Sequence, residues 1–185
     1  PVSVALDDPS GVASLYDLVI FPVTAGADAG RFVTVDSNTW ALRVLDPATL
    51  ATVRTIARPG AASGQLGLAF LGADVTVGGV VVPAGSLAVV NGADTPDRLY
   101  YLDPATGTVL ASVTLGGPPL VDEAGGFAVA WHAGRGTLFV LRHGTDQTTV
   151  TPYPLYIEVD QSNAAGTSLA GTVSEMMGMS AYMER

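Results

Sequence analysis

The two histidines are the first side chains to consider for metal or acid–base chemistry. His132 and His143 stand eleven residues apart, which is not a spacing that brings two imidazoles to one metal on a single strand or helix. His132 precedes a Gly-rich turn sequence at 133–136, where a hydrogen-bonded structural histidine is the simpler expectation. His143 stands in a polar, Pro-bounded segment, residues 142–154, with Asp146 nearby. Long segments of this kind often carry function, so His143 is the histidine expected at a binding site.

Carboxylates are the most abundant polar groups that could act as ligands. Three acidic pairs occur close together in the sequence, namely Asp7 with Asp8, Asp94 with Asp97, and Asp122 with Glu123. Each pair could give oxygen ligands to calcium, but none follows an EF-hand or nonapeptide calcium pattern. Solvated loop charge is therefore the simpler interpretation. The sequence predicts no cofactor, and calcium is the metal ion that these residues could bind.

Motifs for nucleophilic and phosphate chemistry are missing from the sequence. Cysteine is absent, so thiolate catalysis, disulfides and cysteine-ligated metal sites are excluded. Ser63, in a Gly-Ala-Ala-Ser-Gly stretch, stands one place away from the nucleophile position of G-x-S-x-G. The glycines follow no phosphate-loop pattern. The sequence favours a non-catalytic protein and leaves enzyme activity undecided.

Charge excludes one class of partner. The 185 residues include 8 Lys+Arg and 17 Asp+Glu, for a formal net charge of −9, and all the cations are scattered arginines. Binding of nucleic acid needs clustered cations that neutralise phosphates, so no nucleic-acid partner is expected. The 48% of apolar residues are enough for a sizeable core.

One uncharged stretch has nearly the length of a membrane span. Residues 75–93 carry no charge over 19 positions, but glycines and Pro83 interrupt the stretch and valine dominates its apolar residues. It is predicted to form two strands around a turn at 82–85, with Pro83 second and Gly85 fourth. No membrane span is therefore expected.

A repeat organises the chain. The sequence Leu-Asp-Pro-Ala-Thr occurs at 45–49 and again at 102–106, a spacing of 57 residues, and a further step reaches Asp160 without the proline. The carboxylate of such an aspartate can accept backbone N–H groups further along the turn, and proline pre-sets the next φ. We therefore expect Asp46, Asp103 and Asp160 to form hairpin turns with a structural role.

Each repeat unit contains four candidate strands. The predicted first strands are 15–21, 66–71 and 126–131; the second, 31–36, 86–91 and 137–142; the third, 41–45, 98–102 and 155–159; and the fourth, 50–53, 110–113 and 169–173. The first strands are small and apolar almost throughout, which is typical of strands buried on both faces. No convincing amphipathic helix can be placed between so many Gly, Pro and β-branched residues. The chain is predicted to be all-β.

Residues 99–107, Leu-Tyr-Tyr-Leu-Asp-Pro-Ala-Thr-Gly, resemble part of a bacterial β-propeller blade of the YVTN/NHL/PQQ-like repeat families. The resemblance implies a β-propeller-like array of four-stranded antiparallel blades at 14–63, 64–121 and 122–175. Residues 1–13 would be a strand of a preceding blade, and 176–185 the start of a further one. The period is longer than the usual ~40–50 residues, and no unit has a YVTN motif. Three blades cannot close a propeller, so the array is expected to be incomplete, as a fragment of a larger protein, or completed by another chain.

The resemblance also implies where a ligand would bind. In propellers, the connections between second and third strands and between blades share the face around the channel mouth. The residues that this face would collect here are Asp36, Asn38, Trp40, Asn91, Asp94, Asp122, Glu123, Arg142, His143 and Asp146. The Asp-Pro-Ala-Thr turns would lie on the opposite face.

The function expected from these observations is that of a non-catalytic binding or scaffold module outside the bacterial cytoplasm, in an extracellular, periplasmic or cell-surface setting. Its ligand could be a protein or a small molecule. One alternative is part of a propeller enzyme, either a lactonase-like hydrolase or a quinone-dependent dehydrogenase. Another is a structural subunit of a surface layer or filament, with self-association through open blade edges.

Overall fold

The structure, a computed structural model, describes residues 15–22, 26–36, 39–62, 66–91, 94, 98–115, 127–145, 152–160 and 165–169. Within these ranges, side chains are described except at 15–17, 127–128, 141–145, 152–160 and 165–169. The expected strands at 1–13 and 176–185 lie outside the described residues. The predicted site residues Asn38, Asp122, Glu123 and Asp146 also lie outside them, as do Ser63 and the acidic residues Asp7, Asp8 and Asp97.

Three four-stranded antiparallel sheets follow one another along the chain. Unit 1 contains β1 (Leu15–Ile20), β2 (Phe32–Asp36), β3 (Leu42–Leu45) and β4 (Thr52–Ile56), with a short 3-10 helix at Gly26–Asp28. Unit 2 contains β5 (Leu66–Phe70), the two-stranded hairpin β6 (Val75–Val77) and β7 (Val80–Val82), then β8 (Leu87–Asn91), β9 (Arg98–Leu102) and β10 (Val109–Thr114). Unit 3 contains β11 (Phe127–His132), β12 (Thr137–Thr145), β13 (Pro152–Asp160) and β14 (Ala165–Leu169).

The predicted fold class is confirmed. The described part of the chain is all-β, and each unit is an open antiparallel sheet in which the strands pair in chain order, apart from the hairpin inserted in unit 2. The first strands lie side by side, because β5 contacts both β1 and β11. The described strands form no closed barrel, which agrees with an incomplete array.

The fourth strand of unit 3 was predicted four residues too late. It was expected at 169–173, but β14 occupies Ala165–Leu169 and Asp160 pairs with Ala165 at the end of the ladder. In units 1 and 2 a proline follows the aspartate and stops the strand there, since it has no N–H and restricts the preceding residue. In unit 3 Gln161 takes that place, so β13 continues to the aspartate and the connection is shorter.

The uncharged stretch at 75–93 was also predicted incorrectly in part. Its described part, residues 75–91, forms three strands, because Gly78 and Gly79, both with positive φ (56° and 84°), close a hairpin between β6 and β7. The turn that follows begins at Pro83, whose carbonyl accepts the Ser86 N–H at 3.2 Å. Pro83 is therefore first in this turn rather than second, and Gly85 is third with φ 82°. No helix in the described residues has the length and apolar character needed to cross a membrane.

The core lies between the sheets. On one face of unit 2, Leu68 and Val89 are buried against Val33 and Val44 of unit 1 in one cluster. On its other face, residues such as Val90 and Tyr101 are buried with Val140 of unit 3. Alternation along a strand sends neighbouring side chains to opposite faces, so unit 2 is the layer shared by both clusters. This explains why β5 is apolar almost throughout, as its sequence predicts.

Candidate functional site

The connections β2–β3, β4–β5 and β8–β9 meet at one end of units 1 and 2, which we call the loop end. The side chains gathered there form the inter-unit polar cluster, defined as Trp40, Arg58, Asn91, Asp94 and Tyr100. Three of these residues, Trp40, Asn91 and Asp94, belong to the ligand face predicted from the sequence. The cluster joins two consecutive sheets through side chains and backbone carbonyls.

Asp36, a fourth residue of the predicted ligand face, lies at the same end within unit 1. Its side chain is only 2% exposed. The carboxylate accepts a hydrogen bond from the Thr39 hydroxyl at 2.7 Å and pairs with the guanidinium of Arg43. Its backbone carbonyl accepts the Trp40 N–H at 2.6 Å. Asp36 therefore orders the β2–β3 connection, in which Trp40 has a φ of 56°.

Arg58 occupies the centre of the cluster. Its guanidinium donates to the carbonyl oxygens of Ala61 at 2.6 Å and Trp40 at 3.2 Å, and to the Oδ1 atom of Asn91 at 2.8 Å. The guanidinium carbon also lies 6.0 Å from the centroid of the Trp40 ring, within range of a cation–π contact. Burial lowers the pKa of Arg58, and the charge of Asp94 opposes that effect. One side chain thus connects the linker after β4 to both neighbouring units.

Asn91, at the end of β8, is fully buried. Besides accepting from Arg58, its amide nitrogen donates to the carbonyl oxygens of Pro59 at 2.9 Å and Ala61 at 3.1 Å. Both amide hydrogens and the amide oxygen therefore have partners within the protein. A buried amide without such partners would be costly, so Asn91 here holds the inter-unit linker.

Asp94 completes the cluster on the side of unit 2. Its carboxylate accepts the Ala61 N–H and the Tyr100 hydroxyl, at 2.8 Å and 2.7 Å. Gly60 has a φ of 72°, and a Cβ atom there would lie 2.6 Å from both carboxylate oxygens. Only glycine fits this approach, because a side chain would meet the carboxylate and be strained at that φ. Burial and the hydrogen bond and charge of Asp94 together raise the pKa of Tyr100 to about 12.

The raised pKa of Tyr100 predicts a loss of stability in alkali. Below the ordinary tyrosine pKa of 10.0 the phenol is neutral in both the folded and unfolded states. Between that value and about 12, the unfolded state releases the proton while the folded state retains it, so stability falls as the pH rises. Ionisation of tyrosine is followed by absorbance at 295 nm, and the titration curve of Tyr100→Phe is subtracted from that of the wild type to isolate Tyr100. We expect this difference curve to have its midpoint near pH 12. A midpoint near 10.0 would show that the phenol is not held by Asp94.

Sequence reasoning missed Arg58 and Tyr100. The available signal was the Arg-Pro-Gly sequence at 58–60, an isolated cation in the linker between two apolar units. The backbones of Arg142 and His143 lie in β12, paired with Leu155 and Pro154. Arg142 is therefore in the predicted second strand, and the strand continues through His143, which was expected in the segment that follows it.

The side chains of the inter-unit polar cluster mainly form hydrogen bonds with other groups of the protein. The described residues contain no group of three or more His, Cys, Asp or Glu side chains that could hold a metal ion. His132, for its part, accepts the Arg135 N–H at its Nδ1 atom, at 3.1 Å. This is the structural turn role expected for it.

The opposite end of the sheets carries the Asp-Pro-Ala-Thr turns, and we call it the turn end. Asp46 accepts the N–H groups of Ala48 at 2.9 Å and Thr49 at 3.0 Å through Oδ1, and Asp103 accepts the Ala105 N–H at 2.9 Å. These backbone N–H groups lower the pKa of Asp46. The expected structural role of these two aspartates is confirmed.

A cleft of about 370 Å³ opens at the turn end, between units 1 and 2. Residues from the β1–β2 connection, the β7–β8 turn and the β9–β10 turn line it, among them Phe21, Asp28, Ser86 and Asp103. Burial alone would raise the pKa of Asp28, but the hydrogen bonds and charges of Arg54 and Arg31 outweigh it and lower that pKa. The cleft lies at the other end of the sheets from the ligand face that the sequence predicted.

The two ends of the sheets differ in what they present to a partner. The loop end offers polar groups that are already paired within the protein, and the turn end offers an open cleft. Comparison of the chain with protein-family models, curated proteins and solved structures finds no match.

Proposed function

We propose that the chain is part of a β-propeller that serves as a non-catalytic binding or scaffold module in an extracellular, periplasmic or cell-surface setting. The observation that carries the proposal is the inter-unit polar cluster. A module that presents connections to a partner needs neighbouring sheets in a fixed relation, and Arg58 contacts the linker and both units. The polar side chains at the loop end thus hold the sheets of units 1 and 2 in a fixed relation.

The packing of the sheets supports the proposal that the chain is part of a β-propeller. Unit 2 is buried on both faces, and its first strand β5 contacts the first strands of both neighbours. On β1, Val19 packs into the cluster shared with unit 2, so by strand alternation Leu18 and Ile20 face the other way. Their exposed fractions are 47% and 56%. A further blade, from a larger protein or another chain, would cover this apolar face in the same manner.

Calcium dependence and solution mass test the proposed function. We expect the thermal unfolding temperature of the purified chain to be the same in millimolar calcium and in a chelator, and its mass in sedimentation to be that of a monomer or dimer. A calcium-dependent rise together with hydrolysis of simple lactones would overturn the proposal in favour of an enzyme. Large ordered assemblies at low micromolar concentration would overturn it in favour of a surface-layer or filament subunit.

A further inference from the structure

The cleft at the turn end has the dimensions and walls of a small-molecule site. Its volume of about 370 Å³ lies within the roughly 300–1,000 Å³ of ligand pockets. Its apolar lining includes Phe21, Pro22, Pro83, Pro104 and Leu110. These residues come from both units, so the cleft exists only where two consecutive units pack together.

Ser86 supplies a polar group that the protein itself does not use. It lines the cleft and is 2% exposed. Its backbone groups are engaged, since the N–H donates to Pro83 and the C=O accepts from Leu71. Its hydroxyl has no hydrogen-bond partner among the residues that the structure describes. Buried hydroxyls are normally paired, so an unpaired one in the wall of a cleft points to a partner that enters from outside.

The two carboxylates of the cleft differ in their charge balance. Asp28 forms ion pairs with both Arg31 and Arg54, the latter at 2.6 Å, so two guanidiniums more than balance its charge. Asp103 accepts hydrogen bonds from the Ala105 N–H and the Thr106 hydroxyl, but it forms no ion pair with any described residue. A carboxylate offers about four acceptor sites, so acceptor capacity remains at Asp103, and no cation among the described residues is paired with it.

We propose that this cleft binds a small organic cation with an apolar or aromatic body. The ammonium group is bound by Asp103, with the Ser86 hydroxyl as a further hydrogen-bond partner, and the body lies against the Phe21 side of the cleft. The formal charge of −9 attracts cations to the whole protein. This inference names a class of ligand for the proposed binding module. It rests on the proposed function only in assuming that the module binds a ligand.

Binding of three matched probes by NMR or calorimetry tests the proposal. We expect saturable binding of 2-phenylethylammonium, at least tenfold weaker binding of the neutral 2-phenylethanol, and weaker binding still of phenylacetate. Affinity for the ammonium should also fall as salt increases, because the contact with Asp103 is electrostatic. Equal affinity for phenylacetate, or no binding of the ammonium at millimolar concentration, would overturn the proposal.

The repeat provides matched control variants. Asp103→Asn keeps the turn but removes the charge, and we expect it to weaken ammonium binding at least tenfold. Asp46→Asn makes the same change in the equivalent turn of unit 1, which is not part of the cleft lining, and should leave the affinity unchanged. If the two variants bind equally well, the cleft is not the site.

Ser86→Ala gives a second, independent readout. Removal of an unpaired buried hydroxyl should leave the unfolding temperature unchanged or raise it, while ammonium affinity falls several-fold. Undiminished affinity in this variant would contradict the role of Ser86. These outcomes concern the cleft alone, whereas the calcium and mass measurements judge the module, so failure of one proposal can be told from failure of the other.

Discussion

Replacement of Arg58 with methionine is expected to lower the free energy of unfolding by about 3 kcal/mol, the upper range for loss of a buried, charged hydrogen-bond donor. The variant keeps an apolar stem but loses the donors to Ala61, Trp40 and Asn91. Asn91 is fully buried, so water cannot readily replace the lost partner of its Oδ1 atom. Urea unfolding followed by fluorescence of the two tryptophans measures the change.

Arg98→Met is the matched control for that experiment. Arg98 is exposed and lies directly opposite Asn91 in the β8–β9 ladder. Surface substitutions of this kind usually change stability by less than about 0.5 kcal/mol. If Arg58→Met and Arg98→Met have equal effects, the polar cluster does not hold the units together, and the scaffold proposal loses the observation that carries it.

Leu68→Ala is expected to lower the free energy of unfolding by about 3 kcal/mol, in the middle of the range for such core truncations. Leu68 is 1% exposed on the first strand of unit 2 and belongs to the cluster shared with unit 1. The expected cost combines the lost burial of the leucine side chain with the cavity that it leaves between the sheets. The urea midpoint should fall with an unchanged slope, because the surface exposed on unfolding is the same.

Val81→Ala serves as the exposed comparison for Leu68→Ala. Val81 is 64% exposed on the inserted hairpin, so its truncation should change the free energy of unfolding by less than about 0.5 kcal/mol. A small effect of Leu68→Ala, comparable with that of Val81→Ala, would mean that units 1 and 2 do not share a packed interface.

The sheets could be predicted from the sequence because their signals are local. Asp46 and Asp103 accept N–H groups only two or three residues away, so the turn is encoded in a short motif and the strands flank it. The inserted hairpin was missed although Gly78 and Gly79 signal it, since the surrounding valines also form one continuous strand pattern. The position of β14 was missed because Gln161 replaces the proline that stops the strand in the other units.

The candidate sites could be predicted only in part, since their contacts are distant in sequence. Arg58 and Asn91 are 33 positions apart, and nothing in either segment indicates the other. Asp36, Asn91 and Asp94 were predicted as polar residues of a ligand face. The structure places them at the loop end, but in internal hydrogen bonds that depend on burial between sheets. The cleft was not predicted, because its walls combine three connections from two units.

The units differ most in the connection between their first and second strands. Unit 1 has a 3-10 helix there, unit 2 has the β6–β7 hairpin, and unit 3 has only a tight turn at 133–136. Two of these variable segments supply Phe21, Asp28 and Ser86 to the cleft. Changes in these connections alone would therefore reshape the cleft between units 1 and 2 while the sheets stay the same, as antibody loops diversify on a conserved framework. The same segments would be suitable positions for randomised libraries in an engineered binder.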